Sequence, residues 1–313
     1  MNLMNAFARL AGPLTLAAGL AAPAAAQVSS DWFRHPAISP DGSTIIFSHA
    51  GDLYTVPVAG GRAIPLTVHQ AYETRPVWSR DGKTIAFASD RFGNFDIFVM
   101  PATGGEATRL TFHDADDLPS DFTADGGAII FESSRMDDVD SALHPSGVLA
   151  ELYSVPVAGG TPDMLLTTPA INARYDDAGA RILYEDRKGY EDEHRKHHTS
   201  SVARDIWIYN PATGEHTQLT THAAEDRDPV MAPDGMVYFL SERAGDFNLF
   251  RMRPGDEDSA EQITFFEDHP VRHLSRASDG ATVFSWHGDI YAMAPGGGAE
   301  RIDITIAVDT AGD

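Results

Sequence analysis

The stretch "SPDGSTIIFSHAGDLYTVPVAGG", Ser39 to Gly61, reads as two short strands held between two turns. Asp41-Gly42 is a tight-turn dipeptide, because glycine accepts a positive φ and aspartate can bond its own backbone. Ile45 and Phe47 are two residues apart and so share one face of a strand. A second strand, "DLYTVPV", carries Tyr54 in its third position and ends at Gly60-Gly61.

The pattern recurs. Six turns of this kind end at Gly42, Gly82, Gly126, Gly179, Gly235 and Gly280, at spacings of 40, 44, 53, 56 and 45 residues. The apolar pair after each turn is Ile45/Phe47, Ile85/Phe87, Ile129/Phe131, Ile182/Tyr184, Val237/Phe239 and, in a weaker sixth copy, Val283/Ser285. The following strand has an aromatic third residue in every copy: Tyr54, Phe98, Tyr153, Trp207, Phe250 and Tyr291. A last short strand ends five of the units in sequences such as "PLT", "RLT" or "QIT".

About four short strands in a unit of this length predict one blade of a β-propeller. A lone four-stranded sheet buries little, whereas six packed face to face around an axis bury both faces of each. Solenoid coils are shorter, and sandwiches do not repeat. The expected fold is therefore all-β, a six-bladed propeller over 27–308, with blades at about 35–70, 71–114, 115–171, 172–224, 225–270 and 271–308. Residues 309–313 start a tail or linker. The first inner strand, "HPAIS", opens the first unit, and "ERIDITI" supplies the outer strand of the sixth. No blade is expected to be shared between the two ends, so the ring would close by side-chain packing of blade one on blade six.

Residues 1–26 lie outside this scheme. They carry Arg9, an Ala-rich apolar run from Leu10 to Ala22, and small residues Ala24 and Ala26. This predicts a cleavable secretory signal and a periplasmic or secreted protein. No later run approaches the roughly 20 apolar residues of a membrane span. The chain has no cysteine, which excludes disulfides, thiolate metal sites and a cysteine nucleophile. Without 1–26 it holds 22 Lys+Arg (23 less Arg9) against 46 Asp+Glu, a net charge of −24. Such a surface repels nucleic acid and anionic lipid.

Strand order places the Asp-Gly and Gly-Gly turns on one face of the ring and the longer connections on the other. Units three and four insert Ser133–Ala150 and Asp186–Arg204 on that second face. Irregular loops are where repeat proteins concentrate function. "EDEHRKHH" has His194 spaced from His197 and His198 as a helix might present metal ligands, but no scaffold helix is evident. The acidic strings at Asp114 and Asp137 lack the Gly turn and terminal Glu of an EF-hand loop. No metal and no cofactor are expected. The six strand aromatics are assigned to packing. Arg187, Lys188, Arg195, Lys196, His197, His198 and Arg204 form a basic island in an acidic chain and are the candidate ligand-binding residues. Arginines there suit bidentate bonds to a carboxylate such as a peptide C-terminus. Neutralisation by Glu191, Asp192 and Glu193 is the competing reading. No G-x-S-x-G and no H-E-x-x-H occurs, and no catalytic residue is assigned.

The repeats "SPDGSTIIF…DLYTVPVAGG" and "SRDGKTIAFASDRFGNFDIFVMPATGGEATRLT" resemble those of TolB-type propellers. With "RKHHTSSVARDIWIYNPATGEHTQLT" in unit four, the order of units more narrowly resembles the N-terminal propeller of tricorn-type serine peptidases. That resemblance implies a non-catalytic peptide-binding and access-gating module. It also implies a second propeller, a PDZ domain and a protease core downstream as partners. None of the family's catalytic residues has a counterpart in this sequence. A stand-alone TolB-like protein-interaction propeller is the first alternative, and a hydrolase or lyase acting at the propeller mouth the second.

Overall fold

The computed structural model describes residues 32–136, 149–189 and 199–306. Its strands form six antiparallel sheets arranged as a propeller. Blade one holds β1 (Arg34–Ile38), β2 (Thr44–His49), β3 (Asp52–Pro57) and β4 (Gly61–Pro65). Blade two holds β5 (Glu73–Trp78), β6 (Thr84–Ser89), β7 (Asp96–Pro101) and β8 (Thr108–Arg109). Blade three holds β9 (Asp117–Phe122), β10 (Ala128–Ser133), β11 (Glu151–Pro156) and β12 (Asp163–Leu166). Blade four holds β13 (Ala170–Tyr175), β14 (Ile182–Asp186), β15 (Ile206–Asn210) and β16 (Glu215–Gln218). Blade five holds β17 (Asp226–Met231), β18 (Val237–Ser241), β19 (Asn248–Arg253) and β20 (Asp256–Gln262). Blade six holds β21 (Arg272–Arg276), β22 (Thr282–Trp286), β23 (Asp289–Met293) and β24 (Ala299–Arg301). One further strand, β25 (Ile304–Ile306), follows.

The repeated aromatics meet across each blade. In register, Phe47 faces Tyr54, Phe87 faces Phe98, Phe131 faces Tyr153, Tyr184 faces Trp207, Phe239 faces Phe250 and Phe284 faces Tyr291. Ring centroids are 5.6 Å apart for Phe131–Tyr153 and 6.0 Å for Phe284–Tyr291, with near-parallel planes. Such cross-strand aromatic pairs add roughly 0.5–1.5 kcal/mol beyond their burial. The sixth pair differs from the expectation. Unit six is one residue short after its turn, as unit five is, so Thr282 and Phe284 stand where Val283 and Ser285 were assigned.

The core lies between blades rather than within them. Val77, Ile97 and Val99 of blade two pack on Phe122, Ile129 and Phe131 of blade three in one buried cluster. Phe33, Ile45 and Phe47 of blade one pack on Ala277, Val283 and Ile290 of blade six in another. A sheet buried on both sides needs apolar residues on consecutive positions, which is why Ile45, Ile46 and Phe47 are all fully buried.

Ring closure corrects a second expectation. The string "ERIDITI" divides between two blades. Its beginning belongs to β24 in blade six, while β25 runs parallel to β4 on the outer edge of blade one. Ile304, Thr305 and Ile306 register with Gly61, Arg62 and Ala63. The Gly61 N–H donates to the Asp303 carbonyl at 2.8 Å. A Cβ on Gly60, which has φ +84°, would lie 2.7 Å from that same carbonyl oxygen, so the Gly-Gly turn allows the close approach. Backbone pairing and side-chain packing together hold the seam.

Candidate functional site: the axial channel

The six inner strands surround an axial cavity of about 190 Å³. All six show a register break against the second strand, and in five of them one non-glycine residue at the break takes a left-handed conformation. These residues are His35 (φ 49°), Arg75 (φ 51°), Asn172 (φ 48°), Asp228 (φ 50°) and His273 (φ 59°). All five line the cavity. Blade three has Pro119 at this place, and proline cannot adopt positive φ. Backbone strain of this kind costs on the order of 1 kcal/mol per residue and persists where surroundings enforce it.

The enforcing contacts run from blade to blade. The Asn172 N–H donates to Glu132 Oε2 of blade three at 3.0 Å, and the Asp228 N–H to Glu185 Oε1 of blade four at 2.6 Å. The His273 N–H donates to Asp228 Oδ2 of blade five at 3.0 Å, and the His35 N–H to His273 Nδ1 of blade six at 3.4 Å. Four of the five left-handed residues turn their N–H toward the preceding blade, so polar bonds staple these blades together around the channel.

Glu185 is the most connected of these acceptors. It also receives bonds from Asn172 Nδ2 at 2.7 Å and Arg204 Nη1 at 3.0 Å. Burial pushes its carboxyl up to about 7, against the opposing pull of Arg204; Asp228 adds to the rise. His35 lies against His273 with ring centroids 4.0 Å apart and planes tilted by 46°. Burial holds the His35 imidazole well below its ordinary value, helped by His273, Arg75 and Arg34.

A second repeated device occupies the long-loop face. Glu73, Asp117 and Asp226 begin their inner strands fully buried, and each pairs with an arginine just past the second strand of its own blade: Arg91, Arg135 and Arg243. Each arginine also lies over the aromatic pair of its blade, as Arg135 does at 5.0 Å from Phe131 and 4.9 Å from Tyr153. Lys188 holds the equivalent place in blade four, but Ala170 stands where the acid would be. The carboxylate has moved across the pair to Asp186, which accepts from Trp207 Nε1 at 3.1 Å and from the Asp205 N–H at 2.8 Å.

The candidate ligand-binding residues are therefore placed differently from one another. Arg187 is half-buried and has no ion pair among the described residues. Lys188 is held by Asp205 at 2.5 Å, Asp186 at 3.3 Å and the Ala203 carbonyl at 2.8 Å. Arg204 is buried in the channel wall between Glu185 and Glu225, at 3.0 and 3.1 Å. Arg195, Lys196, His197 and His198 lie outside the described residues, as do His194 and Asp137. Among the described residues no three His, Asp or Glu side chains are grouped to hold a metal. Asp116 and Asp117 of the other acidic string serve the Phe95 N–H at 2.9 Å and Arg135.

The channel ring was not read from the sequence. Its one signal is a residue-proline step on three inner strands: His35-Pro36, Arg75-Pro76 and Asp228-Pro229. Proline donates no N–H, and so marks a break in the strand ladder.

Residues 30–299 match the family described as the tricorn protease N-terminal beta propeller domain. Among solved structures the chain is similar to tricorn protease, with 21% identity and a TM-score of 0.76 over 90% of this chain and 27% of that one. It is similar to a putative TolB from Agrobacterium tumefaciens, with 19% identity and a TM-score of 0.56 over 87% of this chain and 80% of that one. TolB from Acinetobacter baumannii is 20% identical, with a TM-score of 0.55 over 74% of this chain and 53% of that one. No curated protein matches the chain in sequence. At these identities the structural likenesses bear on the fold. The family match spans nearly all of the ring, and the chain belongs to the tricorn protease N-terminal β-propeller family.

Proposed function

We propose that the propeller is a non-catalytic module that binds peptides and controls their access, in an exported protein whose peptidase core lies elsewhere. The observation that carries this reading is the channel wall. In a chain of net charge −23, Arg75, Arg174, Arg227 and Arg272 all line the axial cavity. Arginine is suited to a chain carrying carboxylates because its planar fork bonds them in pairs. The ring of strained, cross-bonded residues supplies a rigid frame for such contacts.

The test is fluorescence anisotropy of short labelled peptides with the purified chain. Saturable binding that weakens at least fivefold in Arg174→Ala, with no peptide cleaved, is the expected result. Absence of binding, or cleavage by the chain itself, overturns the proposal.

A second reading has its own observation. Val68, Phe112 and Phe265 occupy the same place in three blades, just after the outer strand, and are 84%, 71% and 74% exposed. Apolar side chains repeated on one face favour docking of a protein, as in a stand-alone TolB-like propeller. Pull-down of a periplasmic partner that is lost on Phe112→Ser would favour this reading over the first.

A further inference from the structure

The first turn of blade four departs from its five counterparts. In the other blades the third turn residue is an aspartate that caps its own turn: the Ser43 N–H donates to Asp41 at 3.0 Å, and Lys83, Gly127, Met236 and Ala281 donate likewise to Asp81, Asp125, Asp234 and Asp279. Blade four reads Asp176-Asp177-Ala178-Gly179. The cap moves to Asp176, which accepts from the Ala180 and Arg181 N–H groups at 2.8 and 3.2 Å. Asp177, at the second position, takes no part in this cap.

Asp177 falls at a defined place. The second turn positions, Pro40, Arg80, Ala124, Asp177, Pro233 and Ser278, follow the inner strands, and Pro40, Arg80, Asp177 and Ser278 line the channel at its short-turn mouth. The mouth is closely packed. The Ser278 N–H donates to the Pro40 carbonyl at 2.9 Å, and a Cβ on Gly179 would overlap Ala124 of the neighbouring turn. Across this mouth Asp177 Oδ1 contacts Arg276 Nη2 of blade six and lies 3.7 Å from Arg80 Nη1 of blade two. One carboxylate oxygen from blade four thus joins arginines from two blades that are not its neighbours.

The arginines are fixed independently of Asp177. Arg276 Nη1 donates to the Ala277 carbonyl at 2.7 Å, and Arg80 Nη2 to the Tyr175 carbonyl at 3.2 Å and to Asp121 Oδ2 at 3.3 Å. Arg80 Nε is buried with no partner, and Ser120 Oγ, further along the cavity wall, is buried with none. Both residues line the cavity, and a buried donor without a partner is uncommon in a folded chain. Asp177 is 44% exposed whereas Arg276 is 8% exposed, so the carboxylate is the solvent-facing half of the pair.

We infer that Arg80 and Arg276 form a carboxylate-binding fork at the short-turn mouth, and that Asp177 occupies it as an internal stand-in until an acidic group of a ligand displaces it. The contact then bars the mouth in the free protein and yields to ligands carrying carboxylates. This deepens the peptide-access reading and rests on it for the identity of the ligand.

The probe is a labelled tetraglutamate peptide, with tetraglutamine as the neutral comparison. Asp177→Asn is expected to bind tetraglutamate at least fivefold more tightly than the unaltered chain, because the competitor is gone. Asp177→Asn/Arg276→Gln is expected to lose that gain. Asp81→Asn removes one negative charge at the blade-two turn beside Arg80 and is expected to change affinity less than twofold. Equal binding by Asp177→Asn and the unaltered chain overturns the inference, and so does an equal gain in Asp81→Asn, which would be bulk charge. If both bind tetraglutamate alike, the passage reading stands and the fork falls. If tetraglutamine and other neutral peptides never bind but Asp177→Asn still gains, the fork stands and the passage reading falls.

Discussion

Glu185 gives the channel ring a pH signature that can be worked through to a number. Its carboxyl is fully buried and raised from the ordinary 4.5 to about 7. The folded protein therefore holds this proton more tightly than the unfolded chain does. The resulting contribution to stability is fully present below about pH 4.5 and is lost as pH rises through about 7. A displacement of that size is on the order of 3 kcal/mol at about 1.4 kcal/mol for each pH unit. Glu185→Gln keeps an acceptor for the Asp228 N–H but cannot ionise. Urea unfolding of both proteins at pH 5, 6, 7 and 8 isolates the effect of Glu185 and the groups coupled to it, because titrating groups that do not interact with it cancel in the difference. Relative to the unaltered protein, the variant is expected to gain about 3 kcal/mol between pH 5 and pH 8. The absolute order at any one pH also reflects the lost bond to Arg204 and is not the quantity tested. A difference that stays flat across the range, or falls, refutes the claim that Glu185 is held protonated by burial in the ring.

Truncation after Ile302 removes the β25 ladder and the packing of Ile304 and Ile306 on the blade one–blade six cluster. The expected loss is about 2–4 kcal/mol from a few backbone bonds and two partly buried side chains, read as a lowered urea midpoint with faster proteolysis at the seam. An unchanged midpoint would mean side-chain packing alone closes the ring. The turn glycines allow a matched pair of substitutions. Gly179→Ala has both a φ of +67° and an Ala124 methyl 2.1 Å from the new Cβ, whereas Gly126→Ala has a similar φ of +69° and nothing within 4 Å. Gly126→Ala is expected to cost about 1 kcal/mol and Gly179→Ala about 2 kcal/mol or more, measured by thermal unfolding; equal costs would show that the turns at the mouth are not tightly packed.

The legible part of the structure was whatever repeats. Asp-Gly turns, paired apolar residues and a third-position aromatic specify a strand, its faces and its partner strand within a few tens of residues. The single misreading in that layer, Val283/Ser285 for Thr282/Phe284, came from a one-residue deletion. With a side-chain period of two, one residue exchanges the faces of a strand. Of the basic island, Lys188 and Arg204 are engaged by Asp205, Glu185 and Glu225. Those partners lie 17 to 21 residues away along the chain or in the next blade, and spacing does not reveal them.

The sequence by itself determined the blade and its number, because each turn, face and aromatic pair is set by residues close together along the chain. Tertiary structure decided everything that depends on bringing blades side by side. It set the parallel strand that locks the seam, the bulges that turn backbone N–H groups toward the preceding blade, and the meeting of Arg80, Asp177 and Arg276 across the mouth. These contacts join residues as far apart as His35 and His273, 238 positions along the chain. Only closure of the ring makes them neighbours.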